Sequence, residues 1–143
     1  MKNRALVFDA NSVLLLVREL RGKASDILVE QSTVSLAYYE AGNALWKECF
    51  LAKRMSREEA FRLLEAIFAV LRTMDVAPLG DDGTGKTILD LAGTLGITFY
   101  DAAYLSEAKR SKKVLVTDDD KLSEAARNLG VKTTNSRSLC QRG

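Results

Sequence analysis

Short apolar runs with no polar alternation recur along the chain, each separated from the next by a stretch of helical spacing. Such runs suit strands covered on both faces, and those occur in parallel sheets wrapped by helices. The strongest are residues 4–8 (Arg-Ala-Leu-Val-Phe) and 114–117 (Val-Leu-Val-Thr). Residues 27–29 (Ile-Leu-Val), 75–79 and 131–134 read as weaker strands. Residues 11–21 place Val13, Leu14, Leu16, Val17 and Leu20 on one helical face, and Gly22 ends that helix. Ser35 is the expected N-cap of a long helix through Lys53. Ser56-Arg-Glu-Glu59 is a capping box ahead of a third helix, with Phe61, Leu64, Ile67, Phe68 and Leu71 facing inward. Residues 80–85 (Gly-Asp-Asp-Gly-Thr-Gly) read as a loop, and further helices are expected over 86–94, 101–110 and 120–129. The alternation predicts a single α/β domain over residues 1–143, with three α/β/α layers around a central parallel sheet of four to five strands. Folds of this kind place ligands at the carboxyl ends of their strands.

The chain contains no histidine and only two cysteines, Cys49 and Cys140. This excludes a histidine general base and His-ligated zinc, and two thiols are too few for an all-cysteine zinc site. Hydrolytic chemistry is left mostly to carboxylates and metal. The apolar stretch ahead of Asp9 is too short for a signal peptide, and the longest apolar run, residues 66–71, is far below the ~20 residues of a membrane span. The expectation is a cytoplasmic protein, with no membrane partner and with reduced thiols. Cys49 lies in an apolar helical pattern and Cys140 near an expected disordered end, so both are expected to be inert.

The net charge of +2 is unevenly spread. Residues 1–108 carry 12 basic and 15 acidic side chains, and residues 109–143 carry 9 and 4. Lys109, Arg110, Lys112 and Lys113 form the densest basic cluster. Two readings fit it: a solvated helix C-terminus, which favours cations, or a phosphate-contacting patch.

Two strands run directly into acid. The first meets Asp9, and the fourth meets Asp118-Asp119-Asp120. In a parallel sheet both ends lie on one edge. Glu40 and Asp101 sit near helix starts among Phe, Tyr and Ala, with no cation beside them in sequence. A carboxylate in such surroundings is costly to bury unpaired. Taken singly, these acids are explained as caps: Asp9 and Asp119 as N-caps, Asp101 as a helix-start acid. Taken as a set, several acids on one edge repel one another unless a divalent ion holds them, and a metal site becomes the better account.

The same residues carry a resemblance. Phe8-Asp9-Ala10-Asn11-Ser12, residues 39–46 around Glu40 and Asn43, Thr98-Phe99-Tyr100-Asp101-Ala102-Ala103-Tyr104, and residues 115–122 resemble, in order and spacing, the four acidic motifs of PIN-domain nucleases. In size and layout the chain is similar to the VapC-type toxins of prokaryotic toxin–antitoxin pairs. The resemblance spans nearly the whole chain and selects Asp119 among the three consecutive aspartates, with Asp118 and Asp120 close enough to share its role. It implies an endoribonuclease dependent on Mg²⁺ or Mn²⁺, a homodimer, and a cognate antitoxin partner. By that resemblance Asp9, Asp101 and Asp119 are the expected metal ligands. Glu40 is a fourth ligand, a group acting through water, or a base. Asn11, Ser12, Asn43 and Thr117 are candidates to aim these carboxylates by hydrogen bonds. The helix over 56–72, with Phe61, Phe68 and nearby Trp46, carries apolar bulk suited to a subunit interface.

A rival motif shares the chain. Gly80-Asp-Asp-Gly-Thr-Gly85-Lys86-Thr87 satisfies the phosphate-loop pattern G-x-x-x-x-G-K-[ST]. Against a P-loop nucleotide-binding function stand Asp81 and Asp82 inside the loop, and a preceding strand that holds an acid and Pro78. A third possibility is a catalytically silent PIN-fold binding protein, which metal titration separates from an enzyme.

Overall fold

The computed structural model describes residues 5–141. Five short strands form one sheet: β1 (Leu6–Phe8), β2 (Ser32–Val34), β3 (Asp75–Ala77), β4 (Val114–Val116) and β5 (Thr133–Thr134). Every pairing is parallel, in the order β3-β2-β1-β4-β5. The flanking helices are α1 (Ala10–Leu20), α2 (Ala24–Leu28), α3 (Leu36–Trp46), α4 (Arg57–Leu71), α5 (Asp82–Leu95), α6 (Phe99–Ser111), α7 (Asp120–Asn128) and α8 (Ser136–Cys140). The helix α6 packs on β1, β2 and β4, while α1 packs with α2, α3, α4 and α8. The α/β architecture with a central parallel sheet is therefore as the sequence predicts. Arg4, the first residue of the expected first strand, lies outside the described residues.

The core explains the strand pattern. Val7, Phe8, Leu115 and Val116 are wholly buried between helix layers that contribute Leu16, Ile67, Leu71 and Leu105. Val7 pairs with Leu115 and Phe8 with Val116, so β1 and β4 end level with each other. The chain steps from β1 to β2 to β3 on one side, then crosses to β4 on the other. The sheet order thus reverses between β1 and β4, which is where folds of this type open a crevice. Asp9 and residues 117–119 leave the sheet at that point.

Several local expectations are corrected. Residues 27 and 28 belong to α2, with Leu28 wholly buried, and the second strand is Ser32–Val34. Its polar residues conceal it: Thr33 is fully buried and its Oγ1 donates to the Phe8 carbonyl at 2.7 Å, while the Ser32 hydroxyl accepts from Lys113 Nζ at 2.7 Å. The first helix is closed by Arg21, at φ 51°, and not by Gly22. Ser35 precedes α3 but has helical backbone angles and makes no side-chain cap bond. The long helix read through Lys53 is α3 followed by a wider π-type turn, Lys47–Leu51. Ser56 does cap α4, accepting from the Glu59 N–H at 3.1 Å.

Only Gly80 and Asp81 of the glycine-rich segment lie outside a helix. Asp81 accepts from the Thr84 N–H at 2.8 Å and from its hydroxyl at 3.0 Å, and starts α5 at Asp82. Gly83, Gly85 and Lys86 lie inside that helix, so no backbone arch is left to cradle phosphates, and β3 ahead of it is an edge strand. Residues 80–87 therefore do not form a P-loop. At the other end, Cys140 closes α8 and is partly buried, and residues 142–143 beyond it lie outside the described residues. Cys49 is buried. The basic cluster follows the helix-end reading: Arg110 pairs with Glu107, Lys112 caps α6 at φ 58°, and Lys113 reaches Ser32. Among the described residues no helix is long and apolar enough to cross a membrane.

Candidate active site

Four helices deliver four acids to one cleft at the carboxyl edge of the sheet. Asp9 ends β1 and caps α1, Glu40 lies within α3, Asp101 stands in the first turn of α6, and Asp119 follows β4 and caps α7. All four line the same cavity of about 380 Å³, together with Asn11, Asn43, Lys47, Glu48, Arg54 and Tyr104. Three of the helices begin at this cleft, and helix N-termini favour negative charge. That is how one small edge accommodates so many acids.

The capping and cleft-lining readings turn out to hold together. Asp9 Oδ1 accepts from the Ser12 N–H at 2.9 Å, and Asp119 Oδ1 accepts from the Leu122 N–H at 2.9 Å. Each cap uses one carboxylate oxygen. Ser12 is fully buried, and its hydroxyl donates to the Val116 carbonyl at 3.2 Å, tying α1 to the end of β4. Thr117, also buried, bonds Asp9 and accepts the Asp119 N–H at 3.1 Å. Asp101 donates its backbone N–H to the Thr98 hydroxyl at 3.0 Å. Thus Ser12 and Thr117 do aim the acids, whereas Asn11 and Asn43 line the cleft.

Sequence reasoning missed Tyr104 in this role. Its ring is buried in the core and its hydroxyl donates to Glu40 Oε1 at 2.7 Å. The Ala10 N–H, at the start of α1, bonds the same hydroxyl. Burial, with Glu40 beside it, pushes the tyrosine far above its usual range, so it remains a donor. The segment around Asp101 contains Tyr104 one helical turn later, the spacing that puts two side chains on one face.

Burial is the main influence on three of these acids, and repulsion from neighbouring acids adds to it. Burial raises the pKa of Asp9, with a smaller push from Asp118. Burial likewise raises Glu40, with Asp101 and Asp9 adding to it and Lys47 opposing. Asp101 is raised by burial and then by Asp119. None of the four is in an ion pair among the described residues. The three consecutive aspartates differ. Asp118 accepts both the N–H and the hydroxyl of buried Ser136, holding the start of α8. Asp119 faces the cleft, and Asp120 is an exposed first residue of α7.

The donor set is all oxygen, which suits hard divalent ions such as Mg²⁺ and Mn²⁺. Among the described residues no three of these acids stand close enough to hold one ion between them. Three of them are turned to other bonds instead: Asp9 to Ser12 and Asp119 to Leu122 in the helices they cap, and Glu40 to Tyr104 on α6.

No protein-family model matches the chain. Two curated proteins of Pyrobaculum aerophilum do. The chain is 40% identical to Exonuclease VapC9 over 87 residues, covering 61% of this chain and 60% of that protein. It is 33% identical to Ribonuclease VapC3 over 126 residues, covering 83% of this chain and 92% of that protein. The crystal structure of PAE2754, also from Pyrobaculum aerophilum, superposes with a TM-score of 0.75 at 28% identity, covering 96% and 93% of the two chains. The structure of VapBC2 from Rickettsia felis, bound to a DNA fragment from their promoter, shares the fold, with a TM-score of 0.64 at 13% identity over 91% and 97% of the chains. One-third identity over 92% of a relative is more than a shared architecture produces by itself, and the chain belongs to the VapC family of PIN-domain nucleases.

Proposed function

We propose that the chain is an endoribonuclease dependent on Mg²⁺ or Mn²⁺ and the toxin of a toxin–antitoxin pair, with Asp9, Glu40, Asp101 and Asp119 as its active site. The observation that carries this reading is the convergence of these four acids, none of them in an ion pair among the described residues, from four separate elements on one cleft at the sheet's switch point. The names of the two Pyrobaculum relatives support the nuclease assignment. The VapBC complex supports a protein antitoxin as partner. In this reading the whole chain, residues 1–143, works as one nuclease domain in the cytoplasm.

Asp9, Asp101 and Asp119 would hold the ion once their carboxylates turn toward it and draw closer than they stand here, with Glu40 beside them. When bound, a divalent ion supplies charge neutralisation and hydroxide at near-neutral pH for attack on phosphorus. The chain's own residues do the aiming. Ser12 and Thr117 fix the Asp9 carboxylate, and the Leu122 N–H fixes Asp119. Tyr104 holds Glu40 Oε1, which leaves Oε2 to orient a water and accept its proton.

A homodimer fits the apolar surface. Phe68 packs edge-on against Tyr38 at 5.0 Å and so is taken up by the core. A groove lined by Leu36, Tyr39, Leu79, Phe99 and Tyr100 is the face we assign to a second copy.

The test is cleavage of a labelled single-stranded RNA with Mn²⁺ and with chelator, alongside melting temperature in both. Cleavage and thermal stabilisation by the ion are expected together. Stabilisation without cleavage would favour the catalytically silent reading, and neither would refute the site.

A further inference from the structure

Basic side chains join the acids in the cleft, and they come from one segment. Lys47 and Arg54 line it, at either end of the π-type turn and the connection into α4. Lys47 is in no ion pair among the described residues. Glu48 stands between two guanidiniums, Arg18 at 3.7 Å and Arg54 at 3.5 Å, so one carboxylate faces two positive charges, while the cleft as a whole, with Asp9, Glu40, Asp101 and Asp119, stays acidic. Exposed aromatics continue outward from the same turn. Phe50 and Phe61 are 47% and 55% exposed, and the Arg57 guanidinium lies over both rings, 5.7 Å from one centroid and 5.8 Å from the other. Apolar rings held in water by an overlying cation are an expensive surface unless something stacks there.

Cations at the mouth of a cleft, with flat apolar rings leading away, are the two elements of single-strand recognition: the first follow the phosphates, the second take unpaired bases. We infer that residues 47–61 bind the substrate strand, Lys47 and Arg54 taking backbone phosphates beside the scissile one and the Phe50–Arg57–Phe61 stack taking an unpaired base. The inference rests on the nuclease reading of the cleft and names the part of the chain that grips the RNA. Cations beside exposed rings favour RNA over a protein partner here: residues 47–61 hold four basic and three acidic side chains, and one of the acids, Glu48, is engaged by Arg18 and Arg54, whereas the groove around Tyr39 and Tyr100 is mostly apolar.

The test uses the full chain in chelator, so that nothing is cut, and reads binding of a fluorescein-labelled unstructured RNA by anisotropy across a range of KCl. Lys47→Gln and Arg54→Gln should each reduce the slope of log affinity against log salt by about 0.7, the contribution of one single-strand phosphate contact. Phe50→Leu and Phe61→Leu keep apolar bulk but lose the ring. They should weaken binding roughly five-fold or more at every salt and leave the slope unchanged. All four sites are exposed, and melting temperatures should stay at the parent value. Unchanged affinity and slope in all four variants would overturn the inference. So would Phe variants that alter sedimentation while binding RNA as the parent does, since the strip would then be a protein contact. A parent that fails to bind also overturns it, and cleavage of the same RNA with Mn²⁺ shows separately whether the nuclease reading stands.

Discussion

Replacing Tyr104 by Phe removes one oxygen from the centre of the site and almost nothing else. The ring is 1% exposed, and Phe fills the same core position, so no cavity opens. The variant loses the 2.7 Å bond to Glu40, a bond to a charged group, and the acceptor for the Ala10 N–H. A bond to a charged group contributes ~1.5–3 kcal/mol and a neutral one ~1 kcal/mol, but water in the cleft re-solvates Glu40, so the net loss is about 2 kcal/mol. In a chain of this size that lowers the melting temperature by roughly 4–8 °C. The pH dependence carries a second signature. Asp9, Glu40 and Asp101 hold their protons more tightly folded than unfolded, because burial raises each above its ordinary 3.8 or 4.5. The folded chain then binds more protons, so these groups make stability fall as pH rises from the ordinary values through the raised ones, and level off above. The Tyr104 bond lowers Glu40, opposing burial. Without it, the Glu40 part of that fall moves to higher pH. The assay is thermal unfolding in chelator at intervals from pH 4 to 8. A variant that melts with the parent at every pH would refute the role given to Tyr104.

Three further outcomes follow from the geometry. Asp118→Asn should leave RNA cleavage within a few-fold of the parent and lower the melting temperature, because Asp118 holds Ser136, whereas Asp119→Asn should abolish cleavage; equal activities in the two would remove the distinction. Lys86→Ala should change neither cleavage nor melting, and Mg-ATP should give the parent no thermal shift, since a ligand stabilises only what it binds. Thr33→Val should cost about 1–2 kcal/mol in urea unfolding, because the Phe8 carbonyl loses its buried donor, and a neutral result would mean that water replaces it.

What was legible in the sequence divides along contact range. β1 and β4 announced themselves, because Leu6–Phe8 and Val114–Val116 are apolar on both faces, and their terminal acids came with them. β2 did not, because the hydroxyls of Ser32 and Thr33 are satisfied by Lys113 and by the Phe8 carbonyl, partners distant in the chain. The apolar residues 27 and 28 were instead one face of a five-residue helix. The glycines at 80–85 suggested a loop, but one capping bond from Asp81 was enough to start α5 there. In the site, the four acids could be picked out from strand ends and apolar settings. The grip of Tyr104 on Glu40, 64 residues away, and of Asp118 on Ser136 is set by the tertiary fold, and no local pattern encodes it.

The central claim is that Asp9 serves chemistry as well as capping α1. Asp9→Asn separates the two, because Asn retains the acceptor for the Ser12 N–H and caps as well as Asp. The decisive measurement pairs cleavage of a single-stranded RNA with melting temperature, each with and without Mn²⁺, for parent and variant. The variant should cut no RNA, melt in chelator at or slightly above the parent's temperature through relief of a buried charge beside Asp118, and lose most of the stabilisation that Mn²⁺ gives the parent. A variant that cuts as well as the parent and gains the same stabilisation from Mn²⁺ would make Asp9 a helix cap alone and contradict the account.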